Sequence, residues 1–158
     1  MSKDINDIEK IQRAFTYRIL GMQELNYWER LEKLHILSLQ RRREKIIIIN
    51  IWKIKYKLIP NSINLNFKIH QRSQAIKATL PPLPRTTTGL LTKYENSFIV
   101  KGPKLWNTLP AELTRISNLR LFKTSLTNYL KKIPDKPPLA GYPFTNNNSL
   151  LEIKPRGF

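Results

Sequence analysis

Apolar residues in the first third of the chain recur at helical intervals. Ile5, Ile8, Ile11, Phe15 and Ile19 are three or four residues apart, which places them on one stripe of an α-helix. Asp4, Asp7 and Glu9 sit where the positive end of the helix dipole favours negative charge, and Gly21 closes the element. A second, short helix starts at Asn26, because an Asn N-cap followed three residues later by Glu29 is a variant of the capping box. Its inward residues are Trp28, Leu31 and Leu34. Ser38 caps a third helix running toward Leu58, in which Ile47, Ile51, Ile54 and Leu58 form one stripe and Ile48, Trp52 and Tyr56 a second. A helix apolar on two sides is central to a packed domain. The run from Ile46 to Ile49 also suits a strand, but the helical-period residues on both sides of it favour the helix. Pro60 and Asn61 end it.

The pattern changes from Asn61 to Tyr94. No 3.6-residue period is sustained there, and Pro81, Pro82, Pro84 and the run Thr86 to Thr88 interrupt regular structure. Asn66 to His70 and Ser97 to Val100 each read as a short strand. Helical pattern returns with a turn after Pro103 that carries Leu105 and Trp106. Pro110 suits a first helical position before Ala111 to Ile116. Ser117 or Asn118 caps a last helix burying Leu119, Phe122, Leu126, Tyr129, Leu130 and Ile133, which Pro134 stops. The fold expected is mainly α. It comprises an N-terminal helical part over 1–60, an irregular Pro/Thr-containing connection over 61–96 with one or two short strands, a C-terminal helical part over 97–134 and a disordered tail over 135–158.

Composition narrows the function. The 158 residues carry 28 Lys and Arg against 11 Asp and Glu, a formal charge of +17, and no cysteine. Zinc ribbons and knuckles, disulfide scaffolds and cysteine nucleophiles are excluded by the missing thiol. A hydrophobic fraction of 41% is that of a chain able to build a core. The charge therefore points to a polyanionic partner rather than to wholesale disorder. The start, MSKDINDIEK, is acidic and periodic, unlike an export signal, and the longest aliphatic run is too short to span a bilayer. The expectation is an intracellular protein of nucleus or cytoplasm, not secreted and not membrane-embedded.

The densest basic cluster is Arg41, Arg42, Arg43 and Lys45, followed on the same helix by Lys53, Lys55 and Lys57; Lys101 and Lys104 approach Trp106, and Lys123, Lys131 and Lys132 come near the end. On a helix Arg42, Lys45, Lys53 and Lys57 project away from the Ile47 stripe, where phosphates could reach them. Each cluster alone reads more readily as a solvated face, but together they make nucleic-acid contact the better reading. Trp52, Tyr56 and Trp106 could stack on bases, although their spacings are those of core residues.

Catalytic patterns do not emerge. His35 and His70 are the only histidines, with no acid at a metal-ligand interval, and His35 between two apolar residues reads as structural. The glycines, at 21, 89, 102, 141 and 157, form no phosphate loop, and no serine has the context of a nucleophile elbow. Two-metal chemistry needs clustered carboxylates, and the chain has no Asp-Asp pair. The reading is of a protein with no active site, metal or cofactor of its own.

The order of the pieces resembles the region that follows the polymerase domain in non-LTR retrotransposon reverse transcriptases of the jockey type. The similar segments are the IEKIQR run (Ile8 to Arg13), YWERL (Tyr27 to Leu31), LSLQRR (Leu37 to Arg42), WNTLPAEL (Trp106 to Leu113) and FKTSLTNYL (Phe122 to Leu130). Together they run from about Asp7 to Lys132. The resemblance implies a C-terminal piece of such an RNA-directed DNA polymerase, a truncated element copy or exon fragment, without its endonuclease and polymerase domains. A basic helical region there would help hold RNA template or nicked target DNA, and the polymerase body would be a second partner. Residues of the WNTLPAEL block also suit a folding signature that anchors two helices. Two alternatives stand beside nucleic-acid binding: a protein-interaction module docking on an acidic surface, and an orphan piece that does not fold stably.

Overall fold

A computed structural model describes residues 2–82, 88–135 and 148–151. The chain is mainly α: among the described residues are α1 (Ser2–Tyr17), α2 (Tyr27–Lys33), α3 (Leu39–Lys55), β1 (Phe67–Ile69), β2 (Ile76–Ala78), α4 (Thr88–Glu95), α5 (Phe98–Asn107), α6 (Ala111–Thr114) and α7 (Leu119–Lys131). The chain divides into two compact units: Met1–Arg43 with Lys131–Phe158, and Glu44–Leu130. The division falls inside α3 and at the end of α7.

In the first unit the caps form as the sequence indicates. Asn26 Oδ1 accepts from the N–H groups of Trp28 and Glu29 at 3.0 and 3.1 Å, and the Glu29 carboxylate accepts from Asn26 N–H at 2.8 Å, completing a capping box. Ser38 Oγ accepts from Arg41 N–H at 3.1 Å and its carbonyl from Arg42 N–H at 2.9 Å. His35 is exposed, and its structural part is played by its backbone. It follows α2 with φ 53°, its N–H reaching Glu32 O while Ile36 N–H reaches Leu31 O, the pattern of a Schellman motif with histidine in the position glycine usually takes.

The orientation of α1 departs from its apolar stripe. Ile11 and Phe15 are 69% and 68% exposed, and Ile8 is exposed too, whereas Gln12 and Thr16 are buried. The inward side is set by polar bonding. Thr16 Oγ1 donates to Gln12 O at 2.9 Å and accepts from buried Arg30 Nε at 3.2 Å, and Gln12 Nε2 donates to Leu37 O at 3.4 Å. A buried guanidinium must be hydrogen-bonded, and Thr16 on α1 supplies one of its acceptors. Within the segment expected as a tail, the described residues Asn148, Ser149 and Leu150 are buried in this unit. The remainder of that expectation, over 136–147 and 152–158, lies outside the described residues.

The second unit is built on α3. Ile48, Ile51, Trp52 and Ile54 are buried, so the packed face draws from both predicted stripes, while Leu58, beyond the helix end, is exposed. Trp52 stacks on Phe122 of α7 with ring centroids 5.6 Å apart, Trp106 of α5 lies 6.0 Å from the same ring, and Leu105, Leu109, Leu126 and Leu130 complete the core. Ser97 to Val100 is not a strand: Phe98–Asn107 is one helix with Pro103 inside it. The missing proline N–H forfeits only a bond to Ile99 O, in the first turn of the helix. Gly102 brings α5 against α3, since a Cβ there would lie 2.8 Å from Ile51 Cδ1. Pro110 is the N-cap of α6 rather than its first residue. Asn118 caps α7, its Oδ1 accepting from Leu121 N–H at 3.0 Å.

The irregular middle contains more order than its pattern suggests. β1 lies within the expected strand 66–70 and pairs antiparallel with β2, Phe67 opposite Ala78, Lys68 opposite Lys77 and Ile69 opposite Ile76. The outer edge of β2 is covered by side chains of the WNTLPAEL region. Trp106 Nε1 donates to Ile76 O at 2.8 Å, Thr114 Oγ1 accepts from Ile76 N–H at 3.0 Å, and the Asn107 amide bonds both backbone groups of Ala78. Unpaired strand edges are costly to bury. Those residues therefore have a structural task.

Candidate nucleic-acid interface

The consecutive basic residues at the start of α3 point in different directions, because neighbours on a helix are about 100° apart. Arg41 is fully buried, 0% exposed. Its Nη2 donates to Pro134 O at 3.0 Å and Asn148 O at 2.9 Å, and its Nε lies 3.6 Å from Asp135 Oδ1. Asp135 also accepts from Ser38 N–H, from Ser38 Oγ and from Asn148 Nδ2. This corrects the assignment of Arg41 to phosphate contact: it is an interior tie between α3 and the chain beyond α7. Arg42 is exposed, bonded to Leu37 O at 3.1 Å and Gln12 Oε1 at 3.3 Å. Arg43 is half-buried, and Lys131 and Lys132 are exposed.

The other predicted cations belong to the second unit. Lys45 and Lys53 are half-buried on α3. Lys57 is exposed after it, at φ 57° in a second Schellman motif formed by Lys57 N–H to Ile54 O and Leu58 N–H to Lys53 O. Lys101 and Lys104 are half-buried on α5, Lys104 3.9 Å from Glu95. This unit holds 14 Lys and Arg but only Glu44, Glu95 and Glu112 as acids, a formal +11. Glu44 is fully buried and Glu95 is paired, which leaves Glu112 as the one fully exposed acid among its described residues.

Sequence reading missed the cations gathered by the hairpin. Lys68 on β1 and Arg72 in the turn are exposed, and Arg115 after α6 donates from Nε and Nη2 to Gln74 O at 3.0 and 2.8 Å. Lys77, opposite Lys68, turns to Asn107 O at 2.5 Å, and burial holds its ammonium pKa below the usual lysine value. Lys68 was visible in a predicted strand. Its partner strand and the approach of α6 were not, because three-residue strands carry almost no periodic signal.

Aromatic side chains of this unit do not form an exposed platform. Trp52, Trp106 and Phe122 are buried, and Tyr56, Phe67, Tyr94, Phe98 and Tyr129 are at most half-exposed. Trp52 and Trp106 are further committed through Nε1, to Ile116 O and Ile76 O. Among the described residues no three His, Asp or Glu side chains are placed to hold a metal ion, and no helix is long and apolar enough to cross a membrane. A recess of about 460 Å³ at the end of α3, lined by Ile54, Lys57, Leu58, Ile59, Pro60 and Asn61, brings together no acid, base and nucleophile. No family model, curated protein or solved structure matches the chain.

Proposed function

We propose that this chain is a non-catalytic nucleic-acid-binding module that engages phosphates through Glu44–Leu130 with little sequence preference, as a C-terminal piece of the reverse transcriptases its motifs resemble. The observation that carries the reading is the +11 charge of a unit with a single fully exposed acid. Such a surface concentrates polyanions and displaces their counterions. The inward commitment of its aromatics favours backbone contact over base stacking. Anisotropy titrations of duplex and single-stranded probes at two salt concentrations test this. Affinity should fall steeply with salt, with slopes set by the number of phosphates neutralised, and no binding at low salt would overturn it.

A second reading rests on the exposed side of α1, where Ile8, Ile11 and Phe15 face solvent. Apolar patches of that kind mark protein contacts, and the polymerase body of the resembled family is the natural candidate. Capture of polymerase-domain protein that survives nuclease treatment and is lost in Phe15→Glu would favour it.

A further inference from the structure

We propose that the turn of the β1–β2 hairpin is the element that enters duplex DNA, its residues 70–74 seated in the major groove and Lys68, Arg72 and Arg115 reaching the flanking phosphates. The inference rests on the phosphate-binding reading above and assigns it a site and a form of nucleic acid.

The turn is exposed and held in shape. His70, Gln71, Arg72, Ser73 and Gln74 are all exposed. His70 N–H donates to Ala75 O at 2.9 Å, Gln74 N–H to His70 O at 2.7 Å, and Ser73 N–H to His70 Nδ1 at 3.2 Å. From outside the hairpin, Arg115 clamps Gln74 O, and Trp106, Asn107 and Thr114 fix the far edge of β2. A loop ordered before binding loses little entropy on docking. Lys68 and Arg72 make no ion pair or side-chain hydrogen bond among the described residues, and Arg115 uses only Nε and Nη2. Glu112, one turn before Arg115, is the sole fully exposed carboxylate of the unit.

Geometry selects the groove. The exposed turn over 70–74, closing strands roughly 4.8 Å apart, suits the roughly 12 Å major groove of B-form DNA, while the outer edge of β2 stays covered by Trp106, Asn107 and Thr114. The major groove of A-form RNA is too narrow and deep for side chains to read. Single strands are disfavoured by the missing aromatic platform.

The test uses the full chain and anisotropy with a DNA duplex, the same sequence as an RNA duplex, and the DNA duplex carrying glucosylated hydroxymethylcytosine, which fills the major groove without changing charge. Expected are affinities about tenfold weaker for RNA and for the filled groove. Arg72→Glu should lose about tenfold on DNA, Lys123→Glu on exposed α7 about threefold or less, and Glu112→Lys should bind more tightly. Circular dichroism confirms that each variant is folded. Equal affinity for all three duplexes, or equal losses for Arg72→Glu and Lys123→Glu, would overturn the hairpin assignment while leaving phosphate binding intact. Absence of salt-sensitive binding to any probe would instead remove the underlying reading.

Discussion

The side-chain amide of Asn107 and the backbone of Ala78 bond reciprocally: Ala78 N–H donates to Oδ1 at 2.8 Å and Nδ2 donates to Ala78 O at 2.9 Å. An amide and a peptide group are matched donor–acceptor pairs, so Asn107 does for β2 what a third strand would do. The neighbouring Trp106 and Thr114 bonds to Ile76 extend that cover. The WNTLPAEL segment is thus a device for closing a sheet edge as well as for filling a core.

Asn107→Ala should cost about 2 kcal/mol, because it leaves two partly buried backbone groups unpaired. Urea denaturation reads the loss. Hydrogen exchange at the Ala78 amide should accelerate, and an unchanged rate there would show that the edge is not held by Asn107.

Arg41 and Arg42 should behave oppositely although they are adjacent. Arg41→Met leaves Asp135 without its cation and should destabilise the chain by about 3 kcal/mol. Arg42→Ala, at an exposed position, should stay within about 0.5 kcal/mol. Equal melting temperatures for the two variants would contradict the buried position of Arg41.

Tyr27 predicts an alkaline weakness. Its hydroxyl donates to the Glu9 carboxylate, and burial, followed by that bond and the Glu9 charge, pushes its pKa well above the ordinary value of 10.0. Above that pH the unfolded chain releases a proton that the folded chain retains. Stability from this group is complete below pH 10.0 and declines as pH rises beyond it. Urea midpoints of the natural chain and Tyr27→Phe, compared at about pH 8 and about pH 10.5, should converge with alkali. A constant difference would exclude the linkage.

Gly102 and Ile51 should be coupled. Gly102→Ala places a methyl 2.8 Å from Ile51 Cδ1, and the overpacking should outweigh the better helix propensity, for a net loss of about 1 kcal/mol. Ile51→Val deletes Cδ1 at a cost of about 1 kcal/mol. The double variant should lose less than the two combined, by about 1 kcal/mol. Strict additivity would mean that the helices do not meet there.

Features set by neighbouring residues were legible in the sequence. Asn26 with Glu29, Ser38 and Asn118 each carry a cap within three residues of themselves, and Phe122, Leu126 and Leu130 repeat at the helical interval and are buried. The start of the hairpin showed as alternation in 66–70. Its second strand did not, and the helix over Phe98–Asn107 was obscured by Pro103, whose lost bond falls in the helix's first turn.

By itself the sequence determined the mainly helical class, the caps, most of the core of Glu44–Leu130, the missing thiol chemistry and the excess of positive charge. These depend on composition or on spacing within a few residues. Only tertiary structure decided which side of α1 turns inward, that Arg41 is an interior tie while Arg42 is a surface cation, and that Arg115 joins the hairpin that carries Lys68 and Arg72. Periodicity marks a stripe but does not say what packs against it. The partners that settle these choices, Arg30 for Thr16, Asp135 for Arg41 and Gln74 for Arg115, lie 14, 94 and 41 residues away in the chain, beyond the reach of any local pattern.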